Sequence, residues 1–214
     1  EALNRATQLN PDYLEAYIGL GVMYETKKDI GKAVACFTKA LEIDPASSAV
    51  HRRLAHILLG AKRYDEAVKH YELLSKTDPK NAAVYVERAE VYLTQDAPDE
   101  AIGILERAVR LGLKETDIYL SLGVSYAIKN DNAGAQKYFN TALKIAPDDA
   151  RPYFYLGALH EEMNDRASAE SYLRSAIRID PGFADAYNHL GYMFAEEGSH
   201  PDEAVELTRQ AVEL

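Results

Sequence analysis

Residues 14–47 read LEAYIGLGVMYETKKDIGKAVACFTKALEIDPAS, and their spacing decides the fold. Tyr17, Leu20, Gly21 and Tyr24 follow one another at steps of three, one and three, which places them on one face of an α-helix. Lys27-Lys28-Asp29 is a polar break. Ala33, Phe37 and Ala40 then mark the inner face of a second helix, which runs out at Asp44-Pro45. Neither helix carries enough apolar surface to fold alone, so each must pack on its partner and on neighbouring units. A mid-helix glycine costs roughly 1 kcal/mol against alanine, so Gly21 implies a close approach, with Ala33 as its expected opposite number. Ala40 would let the next unit's first helix come near.

The same unit recurs. Pro11, Pro45, Pro79, Pro147 and Pro181 share one 34-residue phase, and Leu113 alone interrupts the series. The pattern of a large aromatic, Leu-Gly, Tyr, Ala, Phe, Ala and Pro at these spacings resembles the tetratricopeptide repeat (TPR) family. The resemblance covers essentially the whole chain. It implies an all-α fold, a right-handed α-α superhelix of antiparallel helix pairs.

The phase sets the expected boundaries: a half repeat over 1–13, full repeats over 14–47, 48–81, 82–115, 116–149 and 150–183, and a sixth over 184–214. Repeat two puts His51 in the large-aromatic position and Ala55 in that of the glycine. There a histidine filling a tyrosine's place in a core is the expected role. Leu74 replaces the usual small residue and should shift the contact with repeat three. Repeat three departs most, with Arg88 where leucine is expected and Gly112-Leu113 in place of the proline stop. Gly112 can end the helix as a left-handed cap. Two readings of these departures are open: a bend or docking site, or drift with the stem of Arg88 directed outward. The turn Glu197–Asp202 carries one extra residue, moving the inner alanines to Ala204 and Ala211. The chain starts and stops in mid-pattern, so it is expected to be a piece of a longer array.

With 24 basic and 34 acidic residues the net charge is −10, and 47% of residues are apolar, as in a folded soluble protein. No apolar run approaches the roughly 18 residues that cross a bilayer, so membrane insertion is not expected. The single Cys36 excludes an internal disulfide framework and reads as a small buried hydrophobe. A cytosolic protein and a periplasmic one with few cysteines both fit, with the cytoplasm slightly favoured.

Catalytic patterns are missing. The histidines 51, 56, 70, 160, 189 and 200 include no pair at i, i+4, and there is no Cys pair, phosphate-binding glycine loop or Gly-x-Ser-x-Gly. No catalytic residue, metal site or cofactor is expected. Phosphate recognition draws on clustered Lys and Arg, whereas these are scattered in an acidic chain, so nucleic acid is not the expected partner.

What remains is a surface. The resemblance places the second, fifth, ninth and twelfth residues of each first helix on the concave side of the superhelix, where peptides or helices bind. Candidate groove residues are Ile18, Val22, Arg52, Arg53, His56, Val86, Glu90, Leu120, Val124, Phe154, Tyr155, Asn188 and Tyr192. Their apolar members are expected to stand exposed, as interaction sites do, or else to pack partly on the preceding repeat. Arg52, Arg53 and His56 would form a cationic spot for an acidic flank. No three successive repeats supply the Lys/Asn, Asn, Lys/Arg set that clamps chaperone tails, nor is there the asparagine ladder of the O-GlcNAc transferases. The expected function is a non-catalytic scaffold for a partner peptide or amphipathic helix. The alternatives are a docking or regulatory arm of a larger enzyme, and self-association through apolar ends that include Leu3, Leu9, Val205 and Val212.

Overall fold

The computed structural model describes residues 2–214, and among these it contains thirteen α-helices and no strand. The chain divides into two compact units, residues 1–95 and 96–214, and the division falls inside repeat three.

The first unit comprises α1 (Ala2–Leu9), α2 (Leu14–Thr26), α3 (Ile30–Ile43), α4 (Ser48–Gly60), α5 (Tyr64–Thr77) and α6 (Ala82–Thr94). The pairs α2/α3 and α4/α5 form antiparallel hairpins, while α1 lies on α2, α3 on α4 and α5 on α6. The second unit comprises α7 (Pro98–Arg110), α8 (Thr116–Ile128), α9 (Asn132–Ile145), α10 (Ala150–Glu162), α11 (Arg166–Ile179), α12 (Ala184–Glu197) and α13 (Pro201–Glu213). Its hairpins are α8/α9, α10/α11 and α12/α13, with α7 on α8, α9 on α10 and α11 on α12.

The packing residues read from the sequence form the core. Leu20, Ala33, Phe37 and Ala40 are buried in the first hairpin, and Leu122, Ala135, Phe139 and Ala142 in its counterpart in the second unit. The reason for Gly21 differs from the expected one. A Cβ there would lie 2.7 Å from the tip of the Phe37 ring, so the glycine makes room for an aromatic ring rather than for Ala33. Gly157 and Gly191 come nearer the expectation, since a Cβ would meet the Ala169 and Ala204 carbonyls at 3.3 and 3.2 Å.

The turns are equally periodic. Lys28, Lys62, Asp96, Asn130 and Asn164 all adopt positive φ between 55° and 62°, and Gly198 in the same phase has φ 64°. Each follows a first helix, and after Lys28, Lys62, Asn130 and Asn164 the next N–H reaches back to a carbonyl of the last turn, as Asp29 N–H does to Tyr24 O at 2.9 Å. The extra residue of repeat six adds a second left-handed position, His200 at φ 49°. Gly112 has φ 86° and Leu113 N–H bonds the Ala108 carbonyl, so glycine ends α7 as expected where proline is missing.

Arg88 is not directed outward. Its side chain is 14% exposed, and Nη2 donates to Glu72 Oε1 of α5 at 2.6 Å. Cys36 is half-buried, and burial pushes its thiol above the ordinary range, away from the reactive thiolate.

Candidate functional site

An open cleft of about 730 Å³ lies between α4 and α6 in the first unit. Helical spacing puts Ala49, Arg52, Arg53 and His56 of α4 along one wall. Leu74 from α5 and Val84 from α6 are apolar lining, each under 5% exposed. Leu74 occupies the position held in other repeats by Ala40, Ala108, Ala142 and Ala176. Its larger side chain needs space between the helices, and the cleft lies at this junction.

The basic side chains of the cleft are not alone. Arg53 Nε donates to Glu25 Oε2 of α2 at 2.7 Å. Arg52 Nε lies 3.5 Å from Glu87 Oε2 of α6, and His56 Nε2 is 3.8 Å from the same oxygen. Glu87 is only 18% exposed, and its Oε2 is buried without a hydrogen-bond partner. Burial lifts its carboxyl above the usual carboxylate range, with Arg52 and His56 opposing and Glu90 adding to the rise. Below them Tyr71 is fully buried, its ring edge-on to His56, and its hydroxyl also has no partner. Burial first, then the charges of Glu87 and Glu90, push its phenol above the ordinary tyrosine range.

His51 lies nearby and serves as a tyrosine substitute. Tyr85 and Tyr153 donate their hydroxyls to the carbonyls of Pro79 and Pro147, six residues earlier. His51 makes the same bond through Nε2–H to the Pro45 carbonyl at 3.0 Å. That fixes Nδ1 of the neutral ring as an acceptor, and it takes the Nδ1–H of His70 at 2.8 Å.

The sequence-predicted residues divide between the two units. In the first, Arg52, Arg53 and His56 meet in the cleft. Ile18 and Val22 are half-buried against the core of their unit, Val86 is half-buried, and Glu90 is exposed. In the second unit the expectation of an exposed apolar stripe is corrected at Leu120, which is only 5% exposed. Val124 is half-buried. Phe154 packs on Phe183 and against the edge of His189, with ring centroids 5.2 and 5.6 Å away. Tyr155 stacks on Phe139 at 5.2 Å. Asn188 is exposed, and Tyr192 is 61% exposed. Phe154 is drawn inward where Phe183, at the start of α12, lies against its ring. Sequence reading missed Glu87, Tyr71 and Glu25. The pairing of Glu87 with Arg52, one repeat and one residue apart, was the signal available.

A second concavity of about 680 Å³ lies on α12 and α13, lined by Phe194, Pro201, Val205 and Val212. Val205 and Val212 are 71% and 83% exposed, and Leu9 at the start of the first unit is 78% exposed, whereas Leu3 is half-buried. Among the described residues no three His, Cys, Asp or Glu side chains converge as metal ligands, and no helix is long and apolar enough to cross a membrane.

Comparison with known proteins agrees with this architecture. Family models of the tetratricopeptide repeat match residues 26–85 and 58–122 in one form, and 1–48, 98–150, 120–182 and 156–214 in another. A peroxisomal targeting signal receptor of Kluyveromyces lactis is 31% identical over 71 residues, or 33% of this chain, and the match spans only 12% of that receptor. Among solved structures, MamA is 25% identical with a TM-score of 0.59, over 75% of this chain and 93% of its own. Yeast Tom70, at 21% identity, superposes with a TM-score of 0.77 over 99% of this chain and 45% of its own. YrrB, described as a TPR protein with an unusual peptide-binding site, is 22% identical with a TM-score of 0.58, over 87% of this chain and 96% of its own. Tom70 and YrrB show the fold alone. With models matching along its length, the chain belongs to the tetratricopeptide repeat family.

Proposed function

We propose that the protein is a scaffold that binds an acidic, partly apolar segment of a partner protein in the α4/α6 cleft. The observation that carries this reading is the meeting of Arg52, Arg53 and His56 above the apolar side chains of Leu74 and Val84. The arginines select the charge of the partner, and apolar contact along the cleft adds to the affinity. The charge distribution supports the same choice. Residues 1–95 hold 13 basic and 13 acidic side chains, whereas residues 96–214 hold 11 and 21. The whole net charge therefore resides in the second unit, which repels an acidic segment that the first unit tolerates. The family is one of protein-interaction scaffolds, and YrrB, with its named peptide-binding site, shares the fold.

Fluorescence anisotropy tests this with two labelled peptides, one alternating leucine with glutamate and one alternating leucine with lysine. The glutamate peptide should bind more tightly, and Arg52→Glu should weaken it roughly five- to tenfold at low salt, less at high salt. Equal binding of both peptides, or no effect of Arg52→Glu, rejects the reading.

Self-association is a second reading, favoured by the exposed valines around the α12/α13 concavity and by Leu9.

A further inference from the structure

The ion pairs between helices of the first unit close to hydrogen-bonding distance, as in Arg53–Glu25 at 2.7 Å and Arg88–Glu72 at 2.6 Å. The Glu87 carboxylate is different. It faces Arg52 and His56 of α4 and Tyr71 of α5, with Glu90 on its own helix, yet stops 3.5 Å from Arg52 Nε and 3.8 Å from His56 Nε2. Charge-assisted hydrogen bonds run nearer 2.7–2.9 Å, and a buried carboxylate oxygen left without one is costly. Tyr71 supplies the complementary defect, a fully buried hydroxyl with a proton to donate and no acceptor. An unmet acceptor and an unmet donor in one place describe a polar network that lacks a member.

We propose that Glu87 is a resident competitor, its carboxylate holding the Arg52–His56 subsite that a carboxylate of the partner takes when it displaces Glu87 toward solvent. The incoming group accepts from the Arg52 guanidinium and from the Tyr71 hydroxyl, satisfying both. Two ionised carboxylates cannot share the site without strong mutual repulsion, so occupation by one excludes the other. The inference rests on the cleft reading above and adds the residue that sets its affinity. It also explains why a cleft with two arginines and a histidine on one wall can remain selective. A partner must bring enough apolar contact to offset the displacement, and a merely acidic chain is turned away.

The test uses the same leucine–glutamate peptide with the whole chain, comparing wild type, Glu87→Gln and Arg52→Glu. If Glu87 holds the subsite in about nine molecules of ten, its removal should tighten binding roughly tenfold. Circular dichroism verifies that Glu87→Gln stays folded. Carbon-13 resonances of the glutamate carboxyls give a second readout in the wild type. Glu87, held above the ordinary range by burial, should titrate in that range once the peptide saturates the cleft. Unchanged or weaker binding by Glu87→Gln overturns the inference, as does a Glu87 titration indifferent to peptide. Loss of binding in Arg52→Glu without gain in Glu87→Gln removes the competitor and leaves the cleft. No effect of Arg52→Glu removes both.

Discussion

Gly123 and Gly103 put one substitution into opposite surroundings within a single unit. A Cβ on Gly123 would lie 2.3 Å from Phe139 Cε1 and 2.4 Å from Cδ1. Ordinary contact needs more than an ångström beyond that, and Phe139 is 2% exposed and stacked on Tyr155 with the rings 7° from parallel. The ring must therefore move and disturb its stack. Overpacking of this severity costs about 3 kcal/mol. Alanine returns about 1 kcal/mol in helix propensity, so Gly123→Ala should lose about 2 kcal/mol net. Gly103 lies in the middle of α7, exposed, with nothing within 4 Å of its Cβ position. Gly103→Ala should gain about 1 kcal/mol. Urea titrations followed by far-ultraviolet circular dichroism compare the three proteins, provided the slopes agree, since a changed slope signals that parts of the array unfold separately. Repeat two already combines Ala55 with Tyr71, both fully buried, so a hairpin with a methyl group there can be built if the ring is set differently. A Gly123→Ala protein as stable as wild type would mean that Phe139 adopts such a placement, and the steric argument would be wrong.

His70 should make the fold acid-sensitive. Burial, and secondarily His51, hold its imidazole below the ordinary histidine range, with Glu66 opposing. The unfolded chain then takes the proton first, so stability is full above the unfolded value of about 6.5 and falls as pH drops through that value toward the folded one. His70→Gln keeps a donor for His51 without titrating, and its urea midpoint should vary less between neutral and mildly acidic pH; equal variation refutes the assignment. For self-association through exposed apolar surface at Leu9, Val205 and Val212, light scattering should show mass rising with concentration. A constant monomer mass over a hundredfold range, on the order that such assays span, would reject it.

The packing of this protein was legible because six copies of one pattern state it. Tyr17, Leu20, Phe37 and Ala40 have counterparts a repeat away, so chance at one position is overruled by agreement at the others. The repeat also made the turns legible in phase, though not in conformation. Nothing about Lys28 or Lys62 announces a left-handed backbone; the bonds closing the preceding helix impose it and override the side chain's preference. Exposure of the groove was harder to read. Leu120 and Phe154 hold the same register position as Arg52, but the register fixes only a direction. Whether that direction meets solvent or a neighbouring helix depends on the volume of side chains one repeat away, such as Phe183 against Phe154.

Binding residues in a repeat protein are the least legible class for a physical reason. The sixth position runs Gly19, Arg53, Glu87, Ser121, Tyr155 and His189, with no consensus residue type. A position without a consensus can take up recognition, yet each residue there appears in the sequence once and has no second copy to confirm it. The structure replaces that missing agreement with a different criterion, unmet chemistry. Arg53 is satisfied by Glu25, and His189 is paired with Glu161, so neither singles itself out. Glu87 is half-buried with its Oε2 covered, ion-paired at a distance and short of a hydrogen bond, which packing alone gives no reason to keep. Arg88 Nε and Asn132 Oδ1 are also buried without a partner, but only Glu87 combines that defect with basic side chains at the wall of an open cleft, and that conjunction is the place to look for what the protein binds.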